Sequence, residues 1–203
     1  MSTPAPVTRA RRGLLLLLVL LFFAPLLLSF VIYYGSHWRP AGSTNHGALI
    51  VPARTLPQVA LPRVAVLPGA MPDDAADVFS GKWSLVYVGR GDCDADCRDT
   101  LYFMRQTHFG LANLIPRVQR VFLVTDNCCD RAFLAREQPG LITLNAGGTA
   151  GTPLLAQFPA ERRAAGIFIV DPRGNLMMRY DAHDDPSGLR NDLKKLLQLS
   201  HIG

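Results

Sequence analysis

Cys93 and Cys97 are the residues whose type and spacing could do chemistry. They stand four apart in Gly89-Arg90-Gly91-Asp92-Cys93-Asp94-Ala95-Asp96-Cys97. Two thiolates one helical turn apart close a disulfide or grip one soft metal ion. Local charge bears on the choice between these uses. Asp92, Asp94, Asp96 and Asp99 surround the pair, opposed only by Arg90 and Arg98. Nearby carboxylates raise a thiol's pKa and disfavour a strongly oxidising dithiol, whereas a bound cation gains from negative surroundings. The acidic ring therefore tilts the reading toward metal. A structural disulfide in an exported protein is the plainer alternative, because a lone CxxxC is a weak motif.

The pair must be held by what flanks it. Leu85 to Val88 is a short β-branched and aromatic run bounded by Gly81 and Gly89, which reads as a buried strand. After the cysteines, Leu101, Met104, His108, Leu111 and Ile115 fall on roughly one helical face. The order strand, loop, cysteine pair, helix places both sulfurs at a helix N-terminus and at the C-terminal end of a strand. Open α/β sheets put their chemistry there, and the helix N-terminus favours thiolate. The dithiol is thus expected at the rim of a sheet, open to partners.

Arg120 to Thr125 reads as a second buried strand, and a strand–helix–strand unit of this length pairs in parallel. Its C-terminal end then lies at the same edge of the sheet, where Asp126-Asn127-Cys128-Cys129-Asp130 follows. Neighbouring cysteines rarely pair with each other. Either all four cysteines gather at one edge, or Cys128 sits in a loop and Cys129 is buried. A short helix is expected over Asp130 to Gln138, a third strand over Leu141 to Leu144 and a helical turn over Thr152 to Phe158. Gly166 to Val170 and Leu176 to Tyr180 read as an antiparallel hairpin turning through Asp171-Pro172-Arg173-Gly174-Asn175. Pro186 to Ser200 reads as an amphipathic helix with Leu189, Leu193, Leu196 and Leu197 inward.

Ahead of this domain, Gly13 to Tyr34 is almost wholly apolar. About 20 such residues span a bilayer as a helix. Pro25 falls inside the segment, and Tyr33, Tyr34 and Trp38 are placed as an interfacial aromatic belt. Arg9, Arg11 and Arg12 precede the span with no acid among them. The N-terminus is therefore expected in the cytoplasm and the remainder exported. A cleaved signal peptide is the rival, but the run is long for one and no small-x-small site follows. The chain carries 21 basic and 16 acidic residues, a net +5. Without the three N-terminal arginines the balance is 18 to 16, too mild for nucleic-acid binding. The expected organisation is a cytoplasmic tail over 1–12, an anchor over 13–34, a proline-rich linker and leading segment over 35–74, and the main domain over 75–203. Leu56 to Leu67 alternates enough for an edge strand or hairpin. His46 reads as a solvated loop histidine.

The run of elements, with CxxxC between the first strand and helix of the main domain and Ile-Phe-Ile-Val-Asp-Pro-Arg-Gly-Asn over 167–175, resembles the thioredoxin fold and in particular the SCO/SenC family. That resemblance covers about Leu56 to Ser200. It implies an α/β fold with a thioredoxin-like central sheet and flanking helices, preceded by one transmembrane helix. It further implies a bacterial inner-membrane protein with its domain in the periplasm, handling Cu(I) through Cys93 and Cys97 during assembly of the copper centre of cytochrome c oxidase. The partner would be an oxidase subunit or another copper or thiol protein. The family's third copper ligand is a histidine shortly before the hairpin strand. Here that region reads Arg162-Arg163-Ala164-Ala165, without histidine and without the proline that thioredoxins keep before the strand. Cys128, Cys129 or His183 are the substitutes the sequence offers as ligands, while His108 lies on an apolar face and reads as a core residue. A thiol–disulfide oxidoreductase that needs only the dithiol, and an assembly scaffold with structural cysteines, stand as alternatives.

Overall fold

The computed structural model describes residues 9–35, 45–64, 74–75, 77–160, 163, 165–183 and 185–203. The chain divides into two compact units, Met1–Ser43 and Thr44–Gly203.

The first unit contributes one helix, α1 (Arg9–Gly35), with Pro25 inside it. Its segment Arg11–Gly35 has a mean hydropathy of 3.0 and is long and apolar enough to cross a membrane. The leucines, valines and phenylalanines along it are exposed all round, the pattern of a helix meant for lipid rather than for one face of a protein core.

The second unit is built on a six-stranded mixed sheet. In chain order its elements are β1 (Ala48–Thr55), β2 (Leu61–Pro62), β3 (Asp74–Ala75), β4 (Trp83–Gly89), α2 (Ala95–Phe109), a 3₁₀ turn (Ala112–Arg117), β5 (Val118–Val124), α3 (Arg131–Glu137), β6 (Ile142–Asn145), α4 (Thr152–Leu155), β7 (Gly166–Val170), β8 (Asn175–Asp181) and α5 (Pro186–Leu199). Across the sheet the order is β1-β8-β7-β4-β5-β6, with β2 and β3 paired apart from it. β4 runs parallel to β5 and β5 to β6. β7 is antiparallel to both β4 and β8. The parallel pairing and the hairpin are as the sequence implies.

The central strands are buried on both faces, and their period of two divides the core. Trp83, Leu85, Tyr87, Phe122, Ile167 and Ile169 point to the face covered by α2 and α5, with Leu101, Met104, Leu189 and Leu193. Val86, Val88, Val121, Leu123, Phe168 and Val170 point to the other, against Leu56, Leu61, Leu154 and Phe158. Each such side chain taken from water contributes about 1.5–3 kcal/mol before entropy is charged.

Two segments differ from the sequence reading. The leading edge strand is Ala48–Thr55, earlier than the expected Leu56 to Leu67, of which Leu61–Pro62 forms a short strand and Arg63 a bridge to Leu144 among the described residues. Nearly every residue of β1 is exposed, so it shows no apolar alternation. Its pairing with β8, irregular between Leu49 and Arg54 around Pro52, is a tertiary event. Helix α2 stops at Phe109, with Gly110 at its C-cap. Leu111 remains fully buried, and Ile115 packs on the same core from the 3₁₀ turn. His108 is half-buried, its Nε2–H donating to the Val118 carbonyl at 2.9 Å, with burial holding its pKa down.

Candidate functional site

β4 delivers the chain to the sheet edge at Gly89, in register with Val124 at the end of its parallel neighbour β5. The two following loops therefore start side by side. Thr125 N–H donates to the Gly89 carbonyl at 2.9 Å, Gly91 N–H to Asp126 at 3.1 Å, and Asp130 N–H back to Gly91 at 3.1 Å. Gly91 is required at this contact: a Cβ there would sit 2.5 Å from the Asn127 carbonyl oxygen and 2.6 Å from the Cys128 Cα. Gly91→Ala should push the loops apart and cost about 1–3 kcal/mol, read as a lowered midpoint in thermal unfolding of the chain in detergent.

Both cysteine pairs lie on these loops. Cys93 and Cys97 form a disulfide, and Cys128 and Cys129 form a second. The topology thus brings all four cysteines to one edge, and the adjacent cysteines pair with each other, against expectation. α2 begins at Ala95 behind the N-cap Asp94, whose carboxylate accepts from the Cys97 N–H at 3.0 Å. Cys93 precedes the cap with φ +44°, a left-handed backbone that costs an L-residue on the order of 1 kcal/mol. Asn127, just before Cys128, is likewise at φ +38°. Non-glycine residues held this way tend to mark functional sites.

The expected openness of the dithiol is corrected by burial. Cys93 and Cys97 are each 2% exposed and belong to the core cluster with Tyr87, Leu101 and Phe133. Cys97 borders a cleft of about 350 Å³, lined also by Gly89, Arg90, Asp94, Thr125, Ala160 and Arg163. Tyr87 faces the same cleft. Its phenol is pushed up to about 12 by burial, with Asp94 and Asp96 adding to the rise, so it stays protonated at physiological pH. Cys128 is exposed, while Cys129 is half-buried and packs against the cluster that holds Cys93 and Cys97. The sequence pattern did not announce this division of roles, since all four cysteines sit in polar stretches.

The acidic ring is engaged locally rather than aimed at sulfur. Asp92 accepts from Arg90 at 2.9 Å and is held below the usual carboxylate range chiefly by that hydrogen bond. Arg90 also reaches Asp126 at 3.8 Å, and Asp94 is occupied as the helix cap. Arg98 donates to the Cys93 carbonyl at 3.1 Å and to Asp130 at 2.9 Å, its guanidinium over the Phe133 ring. Among the described residues no group of three or more His, Cys, Asp or Glu comes together to hold a metal. His183 is exposed beyond the end of β8. The register through β7 carries that strand end to the same sheet edge, two strands away from β4. Of the residues proposed as ligands, Cys93 is joined to Cys97 and Cys128 to Cys129 there, and His183 is joined to neither pair. Glu161, Arg162 and Ala164, in the stretch where the resemblance seeks a histidine, lie outside the described residues.

A family model described as transmembrane-like, thioredoxin-like, C-terminal domain matches residues 83–200. No curated protein matches the chain. Among solved structures, yeast Sco1 with copper bound is similar at a TM-score of 0.56 and 14% identity, covering 78% of this chain and 96% of that one. Apo Sco1 of Thermus thermophilus is similar at 0.53 and 20% identity, covering 78% and 98%. Bradyrhizobium japonicum ScoI with copper bound is similar at 0.51 and 16% identity, covering 67% and 96%. At these identities the likeness is one of fold. The chain belongs to the transmembrane-like, thioredoxin-like C-terminal-domain family, and its domain has a thioredoxin fold of the Sco/SenC kind.

Proposed function

We propose that this chain is a membrane-anchored dithiol factor in the assembly of the copper centre of a cytochrome c oxidase, exchanging disulfides with the thiols of its partner through Cys93 and Cys97. The observation that carries the reading is the Cys93–Cys97 disulfide at the β4–α2 junction, bordering a cleft, in a fold similar to copper-bound Sco1. The reaction balances within the two partners. A thiolate of the reduced pair attacks a client disulfide, the second thiolate resolves the mixed disulfide, and the client leaves with two thiols while Cys93–Cys97 closes. The cleft accepts an extended segment rather than a folded surface, so the client is an exposed loop or an unfolded chain. The basic residues ahead of the apolar helix α1 support a bacterial inner-membrane anchor with the domain outside the cytoplasm, where disulfides persist.

Carriage of Cu(I) by the reduced pair is the second reading. It is favoured by two adjacent soft donors in a fold that binds copper in yeast Sco1. Among the described residues no group of three or more His, Cys, Asp or Glu is drawn together, so these residues do not by themselves complete a site of the expected kind. Full-length chain in detergent, reduced and titrated with Cu(I) under a competing chelator, separates the readings. Disulfide exchange with a two-cysteine peptide and no stoichiometric copper is the expected result. One Cu(I) per chain, lost in Cys93→Ser, would transfer the function to metal carriage.

A further inference from the structure

The proposed exchange leaves unexplained how the oxidised chain is reset. Both residues of the buried pair are 2% exposed, and the cleft of about 350 Å³ beside Cys97 is too small for a folded protein reductant. The second pair has the access that the first lacks. Cys128 is exposed, and Cys129 is half-buried against the cluster that contains Cys93 and Cys97. The two loops are laced by the Gly91–Asp126 and Asp130–Gly91 backbone hydrogen bonds. Arg98 spans them from the Cys93 carbonyl to Asp130, and the missing Cβ of Gly91 lets the Cys128 backbone close in. Cys97 borders the cleft on one side, whereas Cys93 belongs to the loop that packs on Cys128.

We infer that Cys128–Cys129 is an internal relay, a surface disulfide that takes two electrons from a dithiol protein and passes them to the buried Cys93–Cys97 disulfide. This rests on the disulfide-exchange reading and adds its reductant class and route. A thiolate of the external dithiol attacks the exposed Cys128 Sγ and releases Cys129 as thiolate. The donor's second thiolate resolves the mixed disulfide, so the donor leaves oxidised and Cys128 and Cys129 hold two thiols. Cys129 thiolate then attacks Cys93 Sγ, the Cys93–Cys97 bond breaks, and Cys97 departs as thiolate facing the cleft. Cys128 attacks Cys129 Sγ, re-forming the surface disulfide and leaving Cys93 and Cys97 reduced. Two electrons and two protons move from donor to buried pair, and the surface pair is unchanged.

The test uses the oxidised full-length chain in detergent, with a soluble thioredoxin as the dithiol donor. Reduction of Cys93–Cys97 is followed by alkylation and mass spectrometry. In the double variant C128S/C129S the thioredoxin-driven rate should fall by roughly tenfold or more, while reduction by a small phosphine stays within about twofold of the parent. A second variant, C97S/C128S, leaves only Cys93 and Cys129 and should yield a Cys93–Cys129 cross-link on mild oxidation. An unchanged thioredoxin rate in C128S/C129S overturns the relay; if both rates fall, the substitutions have closed the site and the Cys93–Cys129 cross-link decides. Failure of the cross-link to form overturns it too. None of these results touches exchange between the reduced chain and a client peptide, which is lost in Cys93→Ser only if the underlying reading is right.

Discussion

Cys93→Ser is expected to reduce the rate at which the reduced chain converts an unstructured two-cysteine peptide from disulfide to free dithiol by about 100-fold or more, because Cys97 can still attack but no partner remains to resolve the mixed disulfide. The same change removes a cross-link closing a short loop. A loop of about five residues confers roughly 2 kcal/mol by the chain-entropy estimate, which corresponds to about 4–8 °C in the unfolding midpoint of a domain this size. Chemical reduction removes the same constraint, so the reduced parent and Cys93→Ser should melt close together, both below the oxidised parent. The triple variant C93S/C128S/C129S measures any exchange supported by the surface pair. If Cys93→Ser keeps the parent's rate and the triple variant loses it, Cys128 and Cys129 are the client site. The buried disulfide would then be a structural staple.

Asp192→Ala should give the largest loss of stability. The carboxylate on α5 is 6% exposed in its side chain. It accepts from His46 N–H at 2.7 Å, Gly47 N–H at 3.1 Å, His46 Nδ1 at 3.1 Å and the Tyr180 hydroxyl. One side chain therefore ties the segment leading into β1 to both β8 and α5. The fit is close: a Cβ on Gly47 would lie 2.3 Å from the Tyr180 ring. Truncation leaves a buried phenol and two backbone donors without an acceptor, at a cost of about 3–5 kcal/mol. The midpoint should fall by about 10 °C or more. Burial and the neighbouring carboxylate also hold the Tyr180 hydroxyl protonated far above its ordinary range, so it donates at every working pH. Burial of Asp192 opposes its ionisation, but the hydrogen bonds from Tyr180, His46 and Gly47 outweigh this and hold its pKa below the ordinary value. A carboxylate lowered in the folded state stabilises fully above its unfolded pKa, near 4, and the contribution is lost as pH falls through the folded value. Unfolding midpoints measured from pH 6 down to pH 3 should drop more steeply in the parent than in Asp192→Ala. Parallel slopes would deny Asp192 this role.

His46 shows what local reading leaves out. Ser43-Thr44-Asn45-His46-Gly47 carries turn-forming residues and no apolar period, so the histidine reads as solvated, and its side chain is indeed 48% exposed. Its partner stands 146 positions away on α5, and nothing short-range specifies that. The acidic flank of the cysteines likewise has partners that spacing does not show. Four aspartates beside two sulfurs resemble a cation site in one dimension. In the fold Asp94 caps a helix and Asp92 pairs with Arg90.

The sequence by itself determined the apolar N-terminal helix, the buried central strands, the hairpin through Asp171 to Asn175 and the place of Cys93 and Cys97 between a strand and a helix. These follow from hydrophobic period, turn chemistry and the parallel register of strands joined by a helix, which are short-range or topological rules. Only the tertiary structure decided that Cys93 and Cys97 lie beneath the surface while Cys128 remains on it, and that the exposed β1 pairs with β8. It also decided that Asp192 binds the start of the domain to its last helix. Burial and long-range pairing depend on what else packs against a residue, and neighbours distant in sequence supply that.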